Sequence, residues 1–234
     1  MPFSSRSLDF LFENTLNDSK AWFNEHKEEY KQNVVLPFAE LVTSLTGTML
    51  EIDKDLICDP KKISRLYRDA RYSKGKSIFR DYVWYSFSRS REAYDFPGYY
   101  FSISPDGFDY GCGYYAVSTE TMNIIRGLIL SNDKSAKAAL KAYKEQDVFE
   151  LYGEMYKRDR YPDEPPEKKD WLNRRNIGVS CSSKDFDLLF SDRLAEKIAA
   201  DFKSIAPIYR LFITATEKRE AHEGISAPTL SKNK

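Results

Sequence analysis

The tripeptide Pro105-Asp106-Gly107 constrains the fold of this chain more than any other short segment. It separates two runs that are dense in aromatic and β-branched residues, Gly98–Ser104 and Phe108–Val117. Proline, aspartate and glycine each favour a tight turn, and such a turn between two strand-like runs is typical of a β-hairpin. We therefore predict a hairpin here, and with it an antiparallel sheet, because hairpins join antiparallel strands.

Other segments extend this pattern to an α+β chain. Tyr82–Ser88 is predicted as a strand from its aromatic content, and Ile63–Tyr72 and Asn176–Ser182 could be further strands. Helices are expected through the N-terminal fifty residues, with a kink or fresh start at Pro37. Helical spacing of apolar residues predicts more helices at 119–130, 133–146 and 191–212. The predicted fold class is α+β, an antiparallel sheet of about five strands flanked by N-terminal and C-terminal helices.

Length and composition favour one domain. A chain of 234 residues with 41% apolar residues can bury a core of its own. We predict a single domain over 1–222, a frayed tail over 223–234, and a surface loop at Tyr161–Asp170, which is rich in proline. No run approaches the roughly 20 apolar residues of a membrane helix, and the N-terminus lacks signal-peptide features, so a cytoplasmic location is expected and no membrane partner.

The cysteines and histidines argue against several kinds of site. Cys58, Cys112 and Cys181 are an odd number at wide spacing, which fits neither a disulfide framework nor paired zinc ligands, so they are predicted to be reduced packing residues. His26 falls on an apolar helical stripe and His222 near the tail, which leaves no Ser-His-Asp or Cys-His set. No cofactor and no metal are predicted.

Positive charge is concentrated in one segment, Lys61–Arg91, here called the basic run. It holds ten basic residues against Asp69 and Asp81, although the whole chain has a formal net charge of zero. A neutral molecule has no general field that attracts nucleic acid, which makes nucleic acid the less favoured partner without deciding the matter. A local site for a phosphorylated or anionic small molecule is compatible with this charge distribution.

Within the basic run, residues 65–76 carry the pattern that suggests a site. If the segment begins as a strand, Arg65, Asp69 and Arg71 share one face, and arginine offers planar donors suited to phosphate or carboxylate. The candidate anion-binding residues are Arg65, Arg68, Asp69, Arg71, Lys74, Lys76 and Arg126. The structural alternative is an ion-pair network at the sheet surface, with the remaining charges solvated.

Arg126 is a special case, since it follows Ile124-Ile125 on an apolar helix. A cation on such a stripe needs a partner or water. It could join the basic site, but we expect its guanidinium to reach solvent along its own aliphatic stem.

Five separated segments together resemble one family, the domain of unknown function 2461. They are Trp22-Phe23 with Tyr30 and Pro37, the run from Arg65 to Lys74 with Lys76, Gly111-Cys112-Gly113, Ile125-Arg126, and Ala206-Pro207. The resemblance covers roughly residues 10–211. One departure is Ile78-Phe79-Arg80, where the family pattern has a proline, a tyrosine and a lysine. The resemblance implies a single domain and transfers no activity.

Three functions of different classes remain open on the sequence. The favoured one is a binding module for a phosphorylated or otherwise anionic ligand through the candidate residues. The second is an enzyme acting on such a ligand, with Asp69 as general base or metal ligand. The third is a structural or interaction protein whose aromatic sheet face meets a partner. The oligomeric state is not predicted.

Overall fold

The predicted hairpin is present. The computed structural model describes residues 3–69, 77–90 and 95–224. Strand β2 is Pro97–Ser104 and strand β3 is Gly107–Tyr114, with a turn at Pro105-Asp106 between them. Gly107 has φ +139°, and a Cβ there would lie 2.3 Å from the backbone oxygen of Ser183. Both the backbone angle and the close approach require glycine at this position.

The hairpin belongs to a five-stranded antiparallel sheet, which confirms the predicted fold class. The order is β1-β2-β3-β5-β4, where β1 is Val83–Ser88, β4 is Glu150–Tyr152 and β5 is Gly178–Ser183. Strand β4 pairs antiparallel with β5, with Leu151 opposite Val179. Strand β4 is a three-residue strand that the sequence pattern did not indicate.

Helices precede and follow the strands, as expected. The bounds are α1 Ser5–Asn17, α2 Lys20–Glu25, α3 Lys27–Tyr30, α4 Leu36–Ile52, α5 Thr119–Leu130, α6 Lys134–Glu145, α7 Pro166–Leu172, α8 Phe186–Leu189, α9 Leu194–Ser204 and α10 Ala206–Glu223. The side chains of Ser118 and Asp133 cap α5 and α6 by accepting backbone N–H groups. A π-helical turn, Lys31–Val35, separates α3 from α4, so the predicted irregularity before Pro37 takes this form.

Two predicted segments differ from the structure. The described part of Ile63–Tyr72 contains an isolated antiparallel bridge, Tyr67 to Phe79, instead of a regular strand. The predicted loop Tyr161–Asp170 gives way to α7 at Pro166. A proline in the first turn of a helix loses no hydrogen bond, because that N–H has no intrahelical partner. The proline-rich segment is therefore a loop only up to Pro165, and Pro166 begins a helix.

The contacts divide the chain into two compact units, and the single-domain interpretation stays a prediction. The first unit comprises Met1–Phe87, Tyr99–Gly111 and Cys181–Lys203, and the second comprises Ser88–Gly98, Cys112–Ser180 and Ser204–Lys234. In the first unit, buried rings such as Phe38 and Phe101 form the core, with their centroids 5.7 Å apart. In the second unit, Tyr114 packs on Phe212 and donates a hydrogen bond to its carbonyl at 2.7 Å. Aromatic burial supplies much of each core.

One described helical stretch, Lys27–Ile52, passes a length and composition test for crossing a membrane. The core helix of a soluble protein passes the same test. Here Phe38, Val42, Leu45 and Met49 of that stretch are buried against the protein.

Asn14, on α1 of the first unit, is fully buried. Neither atom of its side-chain amide has a hydrogen-bond partner among the described residues. An unpaired buried polar group costs about 1 to 3 kcal/mol, so Asn14→Leu should raise the free energy of unfolding by about that amount. Urea denaturation followed by circular dichroism measures the change.

The matched control for Asn14 is Asn17→Leu, on the same helix. Asn17 is exposed, and its amide donates to the carbonyl of Glu13. Its replacement should change stability by less than about 0.5 kcal/mol, as is usual at surface positions. A clear loss of stability in Asn14→Leu would mean that a buried water or another group satisfies the amide, contrary to the expectation.

Candidate functional site

Two described parts of the basic run, around Tyr67 and around Phe79, lie antiparallel to each other. The backbone N–H of Arg68 donates to Ile78, and that of Arg80 donates to Leu66. Leu66 is buried, whereas Arg65 and Tyr67 on either side of it are exposed. The predicted alternation therefore holds over these three residues, and it directs Arg65 towards solvent.

The side chain of Arg68 is held by hydrogen bonds to Ser77 and Phe79. Its Nε donates to the Phe79 carbonyl at 2.8 Å and to Ser77 Oγ at 3.2 Å. The carboxylate of Asp18 accepts the N–H groups of Ile78 and Phe79 at 2.7 and 3.2 Å. The bonds from Nε hold the guanidinium of Arg68, and Asp18 holds the backbone to which it is bonded. No described carboxylate pairs with Arg65 or Arg68.

The other basic and acidic residues of the run differ in their surroundings. Arg71, Lys74 and Lys76 lie outside the described residues. Asp69 is half-buried and is not a free carboxylate. Arg89 pairs with Glu217 at 2.7 Å in the second unit. For Arg89, this ion pair agrees with the structural alternative, in which basic residues of the run form ion pairs.

Arg126 lies on α5 in the second unit, and the expectation that its guanidinium reaches solvent is wrong. It is only 5% exposed, so its guanidinium does not reach solvent. Nε donates to the carbonyl of Leu172 at 3.0 Å, one Nη donates to Asn123 Oδ1 at 2.7 Å, and the other donates to the Arg174 carbonyl at 2.6 Å and to the Tyr156 hydroxyl at 3.2 Å. The helix points the side chain at the backbone around α7, and the carbonyls there take the place of water.

The hydrogen-bond acceptors of Arg126 are all neutral. Across the described ranges 3–69, 77–90 and 95–224, no carboxylate pairs with it. Carbonyl, amide and hydroxyl oxygens satisfy the N–H groups but do not cancel the positive charge. A buried cation without an opposite charge is rare, because charges that leave water are ordinarily paired.

Two more arginines lie against the ring of Tyr156. The guanidinium carbons of Arg160, Arg126 and Arg175 are 3.7, 5.4 and 5.4 Å from the ring centroid. We call Tyr156, Arg126, Arg160 and Arg175 the Tyr156 arginine cluster. Each cation is favoured by the electron-rich ring face, within the usual limit of about 6 Å.

The backbone positions these side chains. Tyr156 donates its N–H to the Asn173 carbonyl and Arg175 donates to the Glu154 carbonyl, both at 2.7 Å. The side chain of Asn173 accepts from the N–H of Arg160 at 2.9 Å. The segment that carries Arg160 is therefore tied to the segment that carries Arg175, and the two guanidiniums are brought to one ring.

The charges of the Tyr156 arginine cluster are only partly balanced. Arg175 pairs with Glu154 at 3.2 Å, and both side chains are at least half exposed. Such a pair is worth about 0 to 1 kcal/mol, so a ligand can compete with it. Arg160 is exposed and forms no ion pair with a described residue. The cluster can therefore offer guanidinium donors to an anion.

A depression beside the start of α1 and the π-helical turn does not suit an anion. It has a volume of about 470 Å³, lies in the first unit and carries no ionisable side chain. Its lining is Phe3, Ser4, Ser5, Gln32, Asn33, Pro37 and Phe190. Charge therefore favours the Tyr156 arginine cluster over this depression as the site of an anion.

All three cysteines were predicted to be packing residues, but only Cys112 is buried, and Cys58 and Cys181 are half-buried. All three are free thiols. Cys112 is fully buried, and burial raises its pKa well above the ordinary value, so the thiol stays protonated and is a poor nucleophile. The neighbouring Gly113 has a packing role, because a Cβ there would lie 2.5 Å from the Tyr152 hydroxyl.

Comparison with known proteins shows the family. The sequence profile described as conserved hypothetical protein (DUF2461) matches residues 6–211. The chain belongs to the DUF2461 family. No curated protein and no solved structure matches the chain. The described candidates Arg65, Arg68, Asp69 and Arg126 all lie within the DUF2461 match.

The Tyr156 arginine cluster was only partly visible in the sequence of this DUF2461 member. Arg126 was a candidate, but Arg160 and Arg175 were not. Lys157-Arg158 and Arg174-Arg175 are short basic pairs whose charge is offset by nearby acids such as Asp159 and Asp170. A search for arginines that flank a tyrosine, instead of a search for net charge, would have drawn attention to Tyr156-Lys157-Arg158-Asp159-Arg160.

Proposed function

We propose that this protein is a cytosolic binding module for an anionic ligand, a phosphorylated or carboxylated small molecule, held by the Tyr156 arginine cluster. The observation that carries the proposal is the buried Arg126 guanidinium, which has only neutral hydrogen-bond partners. An anion at the surface of this cluster would supply the opposite charge that the described residues do not.

Coulomb energies support an anion at this position. All three guanidinium carbons lie within 5.4 Å of one ring centre, a distance shorter than the Debye length of about 8 Å at physiological salt. An anion about 4 Å from one of them gains about 1 to 4 kcal/mol, depending on whether the effective dielectric constant is that of water or of a protein surface. The other two cations add to that gain.

The geometry assigns different parts to the three arginines. Arg160 and Arg175 are exposed and present planar donor edges that match phosphate or carboxylate oxygens. The N–H groups of Arg126 already donate to protein acceptors, so this buried arginine contributes its positive charge and no free donor. Tyr156 holds Arg160 by stacking at 3.7 Å. Stacking restricts the arginine side chain before the ligand arrives, which lowers the entropy lost on binding.

Arg65 and Arg68 of the basic run offer a second location for the same kind of ligand. Arg65 is exposed, and Arg68 is fixed by Ser77 and Phe79. Neither is paired with a described carboxylate. Mutation of Arg160 or of Arg65 therefore distinguishes the two locations.

The test is thermal unfolding of the full chain in phosphate, compared with chloride at equal ionic strength. We expect phosphate to raise the melting temperature of the wild type, since a ligand at 100 times its Kd adds about 2.7 kcal/mol. Arg160→Ala should lose most of the phosphate-specific gain. In chloride it should cost about 1 kcal/mol or less, the value of an exposed cation–π contact.

The matched control is Arg158→Ala, two residues away. Arg158 is exposed and bonds no other described residue, so this variant should keep the full phosphate gain. A gain that survives Arg160→Ala but disappears in Arg65→Ala would assign the ligand to the basic run instead. Absence of any phosphate-specific gain in the wild type, with pyrophosphate and citrate equally inert, would contradict the proposal.

A further inference from the structure

The first unit has a polar sheet face in addition to its core face. Along β2, the residues Tyr99, Phe101 and Ile103 are buried, while Tyr100, Ser102 and Ser104 between them are only half-buried. Successive side chains of a strand point to opposite faces. Tyr100, Ser102 and Ser104 therefore share the face that is turned away from the buried rings.

A carboxylate is held in place on this polar face. Asp109 of β3 accepts a hydrogen bond on Oδ1 from the hydroxyl of Tyr100, on the neighbouring strand β2. On Oδ2 it accepts from Ser182 of β5, on the other side, at 2.6 Å. Each carboxylate oxygen accepts about two hydrogen bonds, so both retain capacity for a donor from outside. The hydroxyls of Tyr100 and Ser182 hold the carboxylate of Asp109 in one orientation, and its remaining lone pairs therefore point in fixed directions.

A depression of about 280 Å³ lies beside this carboxylate. Hydroxyl donors and acceptors line it together with ionic groups, namely Ser102, Ser104, Ser183, Asp106, Asp109 and Lys184. The hydroxyls of Ser102 and Ser104 bond no other described residue, and the Lys184 amine has no described ion-pair partner. Its volume is slightly below the range of about 300 to 1,000 Å³ that is usual for drug-sized ligands.

We infer that this depression binds a small neutral polyhydroxylated ligand, such as a single sugar ring. Each hydroxyl of such a ligand both donates and accepts, and the depression offers acceptors on Asp109 and donors on Lys184 and the serines. Two carboxylates against one amine leave a charge of −1, which disfavours phosphate and carboxylate. The inference is therefore independent of the proposed function, and phosphate does not probe this site.

Sugar titrations of the isotope-labelled full chain, followed by amide NMR, test the inference. The probes are glucose, galactose, mannose, ribose and sorbitol, each added separately. At least one should shift the amide signals of Gly107, Asp109 and Ser182 in a saturable way. Ser102→Ala should weaken that binding about three- to tenfold, the factor for one hydrogen bond, and Asp109→Asn by more than about tenfold.

Ser86→Ala is the matched control, because Ser86 is a half-buried serine of β1 that does not line the depression. It should leave the affinity unchanged. Ser102→Ala keeps the partners of Asp109 in place, so it remains informative even if Asp109→Asn disturbs folding. The inference is overturned if no probe gives saturable shifts, if Ser86→Ala and Ser102→Ala weaken binding equally, or if only a simple amine such as ethanolamine binds.

Discussion

Replacing Arg126 by methionine should lower the free energy of unfolding by about 3 to 5 kcal/mol, because the change strands several buried acceptors at about 1 to 3 kcal/mol each. The stranded groups are the carbonyls of Leu172 and Arg174 and the amide oxygen of Asn123. Methionine fills a similar length of space, so the loss measures hydrogen bonding more than a cavity. Guanidinium denaturation followed by circular dichroism gives the value.

Arg158→Met is the control for this change. Arg158 is exposed and lies near the same cluster in sequence, so its replacement should alter stability by less than about 0.5 kcal/mol. Arg126→Lys should fall between the two, since an ammonium keeps the charge but lacks the planar fork. A loss below about 1 kcal/mol in Arg126→Met would contradict a role for Arg126 in tying α5 to the backbone around α7.

Gly107→Ala should cost about 3 to 4 kcal/mol, which combines a backbone angle that side chains rarely adopt with a steric clash. The φ angle is +139°, and the new Cβ would lie 2.3 Å from the Ser183 carbonyl oxygen. That oxygen belongs to backbone at the end of β5, so it cannot rotate away as a side chain could. The change in melting temperature and in the denaturation midpoint measures the effect.

The same substitution elsewhere in the first unit should have the opposite sign. Gly47 lies inside α4, and a Cβ added there meets no atom within 4 Å. Gly47→Ala should stabilise by about 0.5 to 1 kcal/mol, because alanine has the higher helix propensity. If both variants lost equal stability, the special geometry assigned to the hairpin turn would be wrong.

Local chemistry was sufficient to predict the hairpin and the helices at 119–130 and 133–146. Pro105-Asp106-Gly107 specifies a turn through its own backbone preferences, and Ser118 and Asp133 accept the N–H groups of the residues that follow them. These features depend on residues within a few positions of one another. For the same reason, the fold class could be derived without knowledge of any distant contact.

The sites depend on distant contacts, which the sequence pattern does not encode. Arg126 meets Tyr156 and Leu172, residues 30 and 46 positions away, so no local period could show that its guanidinium would be buried. The carboxylate of Asp109 is held by Ser182, 73 positions away. Strand β4 was not predicted because three residues, Glu150–Tyr152, are too few for alternation to be recognised.

The division of the chain also bears on how the protein is made. Each unit is assembled from three separate stretches, and the last stretch of the first unit is Cys181–Lys203. Strand β3 ends at Tyr114, yet its neighbour β5 begins only at Gly178. A ribosome releases the N-terminal helices long before these partners exist, and contacts between distant residues form slowly. The edge of β3 that pairs with β5 therefore has no partner strand until Gly178–Ser183 has been synthesised, whereas Phe101 of β2 can already pack on Phe38.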